Sequence, residues 1–88
     1  MIVVSQNHKD AVDTNKCSSL FYANVLKENS GYKVAIGTVI KVAVYSTEEM
    51  AKLAMSWMVR AETDGEALFI MPTEAEIEEE LQWQQERF

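Results

Sequence analysis

The side chains best suited to catalysis are few and widely separated. His8 is the only histidine, and it lies two residues before Asp10, a pairing that would suit a general base oriented by a carboxylate. Cys17 is the only cysteine, and the adjacent Lys16 would lower its pKa if both side chains shared an exposed site. Neither pair is accompanied by a third catalytic group at a recognisable spacing. We therefore interpret His8 as a solvated turn residue and Cys17 as unreactive, and we predict no enzymatic activity.

A cluster of carboxylates near the end of the chain is the other candidate for chemistry. Divalent cations such as calcium prefer several carboxylate oxygens. The cluster consists of Glu74, Glu76, Glu78, Glu79 and Glu80. On a helix these side chains would spread around the axis, and the Asp and Gly pattern of a calcium loop is missing. We predict a solvated acidic face and no metal site. Three glycines, widely spaced, cannot form a phosphate-binding loop, so no cofactor is predicted either.

Charge and composition narrow the classes of partner. The net charge is −6, and residues 46–88 carry eleven acidic against three basic residues. The five lysines of residues 1–45 are widely spaced, so no basic stripe for direct nucleic-acid binding is predicted. No apolar run reaches the length of a membrane span, and a single cysteine suits a reducing compartment. We expect a cytoplasmic protein that does not insert into membranes.

The length of 88 residues fits one domain, and 48% of the residues are apolar, which suffices for a packed core. Such a small core rarely supplies more than a few kcal/mol, roughly 3–5 below about 80 residues, so dimerisation would be a natural supplement. We therefore expect a homodimer, with residues 1–72 forming a sheet and a first helix and residues 73–88 forming an acidic carboxyl-terminal helix.

Alternating apolar residues predict an antiparallel meander of four or five strands. A short hairpin over residues 2–12 is followed by a strand at 20–27, a turn at Glu28–Gly31, and an apolar stretch at 32–45 that breaks near Gly37. One long strand bent at Gly37 is the alternative. The preferred register pairs Lys27 with Tyr32, Ile36 with Ile40, Val34 with Val42, and Tyr32 with Val44.

Two capping boxes predict two helices. The first, Ser46-Thr47-Glu48-Glu49, begins an amphipathic helix that ends at Thr63-Asp64-Gly65. Its apolar residues recur at helical spacing, and they are Met50, Leu53, Ala54, Trp57, Met58 and Ala61. Residues 67–71 predict a buried strand that returns to the sheet and ends at Pro72. Thr73–Glu76 begins the second helix, which extends to about Gln85. The predicted fold class is α+β, with the amphipathic helix packed on the meander.

The second helix has a sparse apolar stripe, which predicts a role in binding. Ile77 and Leu81 lie one helical turn apart and Trp83 points elsewhere, so the helix packs by one edge or awaits a partner. Trp83 either marks an interface or folds back on the second face of the sheet, where other apolar side chains would be exposed. The predicted partner-binding residues are Ile77, Leu81, Trp83, Leu20, Tyr22 and Leu26.

Three segments together carry a resemblance: the Met1–Val4 opening, the helix start at residues 45–52, and the Phe69–Pro72 strand end. In these the chain resembles short uncharacterised proteins of Gram-positive bacteria and their phages. The long Glu-rich tail after Pro72 and the irregular stretch Asp13–Ser19 depart from that pattern. The resemblance implies an accessory or mobile-element setting and no activity.

Two functional hypotheses follow. The first is a non-enzymatic accessory protein of a phage or mobile element that self-associates or binds a protein partner. The alternative is an acidic mimic of nucleic acid that inhibits a DNA-acting protein by occupying its basic surface.

Overall fold

Six strands and two helices make up the part of the chain that the structure, a computed structural model, describes: residues 1–16, 23–29, 31–36 and 40–86. The strands are β1 (Ile2–Val4), β2 (Ala11–Asp13), β3 (Ala23–Glu28), β4 (Gly31–Ile36), β5 (Ile40–Tyr45) and β6 (Leu68–Ile70). The helices are α1 (Glu48–Thr63) and α2 (Glu74–Glu86), and a short 3-10 turn covers Thr14–Lys16. The predicted α+β class is confirmed, including the amphipathic helix and the carboxyl-terminal helix.

The strands form two three-stranded sheets. The first has the order β2-β1-β6, with β2 antiparallel and β6 parallel to β1, and the second is the antiparallel meander β3-β4-β5. The predicted opening hairpin is therefore present. Residues 67–71 were predicted to form a buried strand. The strand is present, but the prediction of its burial was wrong, because Leu68 and Ile70 are exposed. A short apolar run does not reveal whether one or both of its faces are covered.

The register of the meander was predicted correctly near its turns. Lys27 pairs with Tyr32 and Ile36 pairs with Ile40. Ala35 still pairs with Lys41 in that register, and the pairing shifts after it, because a bulge lies between Val34 and Ala35.

The bulge places one extra residue, Val42, in β5 and reverses the alternation that follows. Val34 therefore pairs with Ala43 instead of Val42, and Tyr32 pairs with Tyr45 instead of Val44. As a result Tyr45 shares the face of Tyr32 and is buried. The predicted pairs at Val42 and Val44 were wrong for this reason.

Helix α1 covers the meander. Ala51, Ala54 and Met58 recur at helical spacing and are fully buried against it. The side chain of Thr47, and not the predicted Ser46, accepts the capping hydrogen bond from the Met50 amide at 3.2 Å. The helix ends as predicted, since Gly65 has a φ of 77° that an L side chain rarely adopts.

Helix α2 begins with the predicted capping box. The Thr73 hydroxyl accepts from the Glu76 amide at 3.2 Å, and the Glu76 carboxylate accepts from the Thr73 amide at 3.2 Å. Ile77 is fully buried in the core and Leu81 packs against that core. Of the two arrangements predicted for α2, packing by one edge is therefore the one found. The placement of Ile77 among the partner-binding residues was wrong, because α2 contributes this side chain to the interior of its own chain.

One backbone and two side-chain hydrogen bonds join the segment after β1 to β5, and β5 to the segment before α2. Gln6 binds the edge of β5, where its amide donates to the Val42 carbonyl at 2.8 Å and its side-chain oxygen accepts from the Val44 amide at 3.0 Å. The buried Tyr45 hydroxyl donates to the Pro72 carbonyl at 2.7 Å.

Neither described helix has the length and apolar character needed to cross a membrane.

Candidate interaction surfaces

The outer face of β1 and β6 carries a contiguous group of aliphatic side chains. The parallel register places Ile2 beside Leu68 and Val4 beside Ile70, so all four side chains point to the same side of the sheet. Val3, on the opposite side, is fully buried. Leu68 is 55% exposed and Ile70 is 51% exposed. We call these four residues (Ile2, Val4, Leu68 and Ile70) the aliphatic patch.

Strand β6 also forms an edge of its sheet. The Ile2 amide donates to the Ala67 carbonyl at 2.9 Å, and the Met71 amide donates to the Val4 carbonyl at 3.0 Å. Because backbone groups alternate in direction along a strand, the amides and carbonyls of Leu68 and Ile70 point away from β1. Among the described strands none pairs with this edge, which therefore presents backbone donors and acceptors next to exposed aliphatic side chains.

A second surface is a groove of about 510 Å³ between the two helices. It is lined by Trp57 of α1 and by Glu76, Glu79, Glu80 and Trp83 of α2. The α2 residues lie at spacings of three and four and thus form one stripe beside the buried stripe of Ile77. We call these five residues the tryptophan groove.

The two indoles of the tryptophan groove differ in exposure. Trp57 is partly buried and packs against the core, whereas Trp83 is 49% exposed. One wall is therefore held by the interior, and the other lies at the surface of the molecule.

Tyr45, near the start of α2, is a structural group. Burial raises the pKa of its hydroxyl well above the ordinary value, and the charges of Glu76 and Glu74 raise the pKa further. The hydroxyl therefore remains protonated and keeps donating its hydrogen bond to the Pro72 carbonyl at neutral pH. This position makes Tyr45 a connection between β5 and α2.

The structure distributes the predicted partner-binding residues over separate places. Trp83 lines the tryptophan groove, and Leu26, 40% exposed, lies on the meander beside Lys33. Ile77 is in the core and Leu81 is partly buried against it, while Leu20 and Tyr22 lie outside the described residues. The predicted single binding surface is therefore not assembled from these residues as a group.

The structure describes His8 and Asp10, the pair considered for general-base chemistry. His8 is exposed in the β1–β2 turn, where a φ of 62° orients its backbone and its amide donates to the Ser5 carbonyl at 2.9 Å. Asp10 closes the same turn through its backbone, since its amide donates to the Ser5 hydroxyl at 3.1 Å. Cys17 lies outside the described residues. Within the residues that are described, no group of three or more potential metal ligands occurs.

The aliphatic patch was missed from the sequence. The alternation of Leu68, Phe69 and Ile70 was read as part of a continuous buried run, and the parallel partner of β6 is far away along the chain.

Comparison with protein-family models, with curated proteins and with solved structures finds no match for this chain.

Proposed function

We propose that this chain is a non-enzymatic accessory protein that acts by binding protein, and first of all a second copy of itself. The aliphatic patch is the observation that carries the proposal. Exposed contiguous apolar surface is a mark of interaction sites, and an open strand edge is a template for pairing with another chain. A cytoplasmic setting in a phage or mobile element follows from the single cysteine and from the resemblance described above.

Pairing of two β6 edges explains both the exposed side chains of the aliphatic patch and the open strand edge beside them. In an antiparallel arrangement, Leu68 of one copy would lie opposite Ile70 of the other, with the two Phe69 residues at the two-fold axis. The outward amides and carbonyls of Leu68 and Ile70 would then form four backbone hydrogen bonds. The two aliphatic patches would become neighbours in one six-stranded sheet.

Light scattering coupled to size-exclusion chromatography tests this proposal. The chain should show twice the monomer mass of 10.0 kDa, and Leu68→Ser with Ile70→Ser should return it to the monomer. Val59→Ser is the matched control, because Val59 is an exposed aliphatic residue of α1 away from the patch. A monomeric native chain at high micromolar concentration, or a dimer that survives the double substitution, would refute self-association through β6.

The alternative function, an acidic mimic of nucleic acid, is favoured by the direction of the α2 carboxylates. Because Ile77 occupies the inward stripe, Glu76, Glu78 and Glu79 are exposed to solvent. A captured DNA-acting partner should bind more weakly as salt rises, and equal binding across a tenfold range of ionic strength would exclude charge mimicry.

A further inference from the structure

We propose that the tryptophan groove binds a cationic segment of a protein partner and holds an arginine side chain against its indoles and carboxylates. The site is distinct from the aliphatic patch, so it adds a second binding surface to the proposed function. Its occupant is defined by chemistry, namely a guanidinium group carried on a short exposed peptide.

The charge of the groove is the first argument. Its lining contains three carboxylates and no lysine or arginine among the described residues. The ion pairs of the described chain lie elsewhere, at Lys33 with Glu28, Lys52 with Glu48, and Arg60 with Asp64. The carboxylates of the groove are thus available to a cation from outside.

The aromatic walls are the second argument. An indole face attracts a cation within about 6 Å, and tryptophan is the strongest of the aromatic residues in this respect. A guanidinium is planar, is more weakly hydrated than an ammonium, and can stack on an indole while donating to a carboxylate. A groove that combines indoles with carboxylates therefore suits arginine better than lysine, and it suits either better than a neutral side chain.

Preorganisation is the third argument. The Glu76 carboxylate accepts hydrogen bonds from the Thr73 amide and hydroxyl at 3.2 and 3.1 Å. The Glu80 carboxylate accepts from the Gln84 side chain at 3.4 Å. These local bonds hold two of the carboxylates in place before a ligand arrives, which lowers the entropy lost on binding.

The volume of the tryptophan groove also fits a long side chain with its flanking peptide. Pockets for small ligands measure about 300–1,000 Å³, and the groove, at about 510 Å³, lies within that range. It accommodates one long side chain together with part of the flanking peptide.

The test uses blocked synthetic peptides of alternating arginine and glycine, with matched peptides that carry lysine or glutamine in place of arginine. Isothermal titration calorimetry with the full chain should rank arginine above lysine and show no binding of the glutamine peptide. Trp83→Leu, which keeps an apolar side chain but removes the indole, should weaken arginine binding by about two- to thirtyfold. Circular dichroism confirms that this variant is folded.

A pair of neighbouring glutamates provides the charge control. Glu79→Gln should weaken binding by about two- to fivefold. Glu78→Gln makes the same change of charge on the same helix but does not line the groove, so it should have a smaller effect. Glu79 is chosen because Glu76 also caps α2.

Three outcomes would overturn the proposal: no binding of the arginine peptide at millimolar concentration, equal binding of the glutamine peptide, or equal losses from Glu78→Gln and Glu79→Gln. If the arginine peptide instead dissociates the dimer and Glu79→Gln does the same, the occupant is a second copy of the chain and not a separate partner. Leu68→Ser with Ile70→Ser distinguishes the two proposals, because this pair of substitutions should abolish pairing through β6 and leave peptide binding unchanged.

Discussion

Truncation of Ile77 to alanine should destabilise the folded monomer strongly. Ile77 is fully buried, so the change removes three carbon atoms from the core. At about 0.8 kcal/mol for each buried carbon, the lost transfer free energy is about 2.4 kcal/mol. The cavity left behind increases the loss, and the expected total is about 3–4 kcal/mol.

The same substitution at Ile70 is the matched control. Ile70 is 51% exposed, so the side chain loses far less contact on truncation, and the expected loss is about 1 kcal/mol or less. Urea unfolding followed by circular dichroism measures both variants, at one low protein concentration so that self-association does not contribute. A domain of 88 residues typically has a free energy of unfolding of roughly 4–13 kcal/mol, so Ile77→Ala should remove a large part of it.

The comparison decides whether α2 belongs to the core. If Ile77→Ala lowered the free energy of unfolding by no more than Ile70→Ala, α2 would not pack into the core through Ile77. The acidic helix would then be a separate element, as the sequence alone suggested. The same reasoning predicts that removal of residues 73–88 unfolds the remainder.

Three further predictions concern single side chains. Thr73→Ala should lower the free energy of unfolding by about 0.5–2 kcal/mol in urea titrations, because the α2 cap is lost, and an unchanged midpoint would contradict the capping geometry. Tyr45→Phe should cost about 0.5–1.5 kcal/mol through the lost bond to Pro72. The raised pKa means that the folded state holds the Tyr45 proton more tightly than the unfolded chain. Stability should therefore fall as the pH rises above about 10, and melts of Tyr45→Phe should lack that contribution. Gly31→Ala should cost about 2–3 kcal/mol in thermal unfolding, since its Cβ would lie 2.5 Å from the Tyr45 carbonyl oxygen at a φ of 153°, and a neutral result would exclude that close approach.

Local patterns in the sequence were sufficient for the elements that depend on near neighbours. The opening hairpin, the register at Lys27 and Tyr32, and the Thr73 capping box all rest on residues a few positions apart. The structure agrees with each of them. For the same reason the end of α1 at Gly65 was predictable.

Features that depend on distant partners were not predictable in this way. The bulge at Val42 leaves no mark in a run of apolar residues, yet it decides that Tyr45 and not Val44 is buried. The parallel pairing of β6 with β1 joins residues from opposite parts of the chain, and the exposure of Leu68 follows from it. The burial of Ile77 required knowing where α2 meets the core. In each case tertiary packing overrides a pattern that is ambiguous in isolation.

The parallel pair of β1 and β6 has a consequence for the order of events during synthesis. Among the described strands β1 is made first, but its parallel partner exists only after Ile70 has been added. The β3-β4-β5 strands follow one another in the chain and close from local contacts, whereas contacts between distant residues form slowly. The nascent chain therefore carries Ile2 and Val4 without their β6 neighbours while the residues between the two strands are made. That interval is when chaperones, or another nascent copy, have access to the strand.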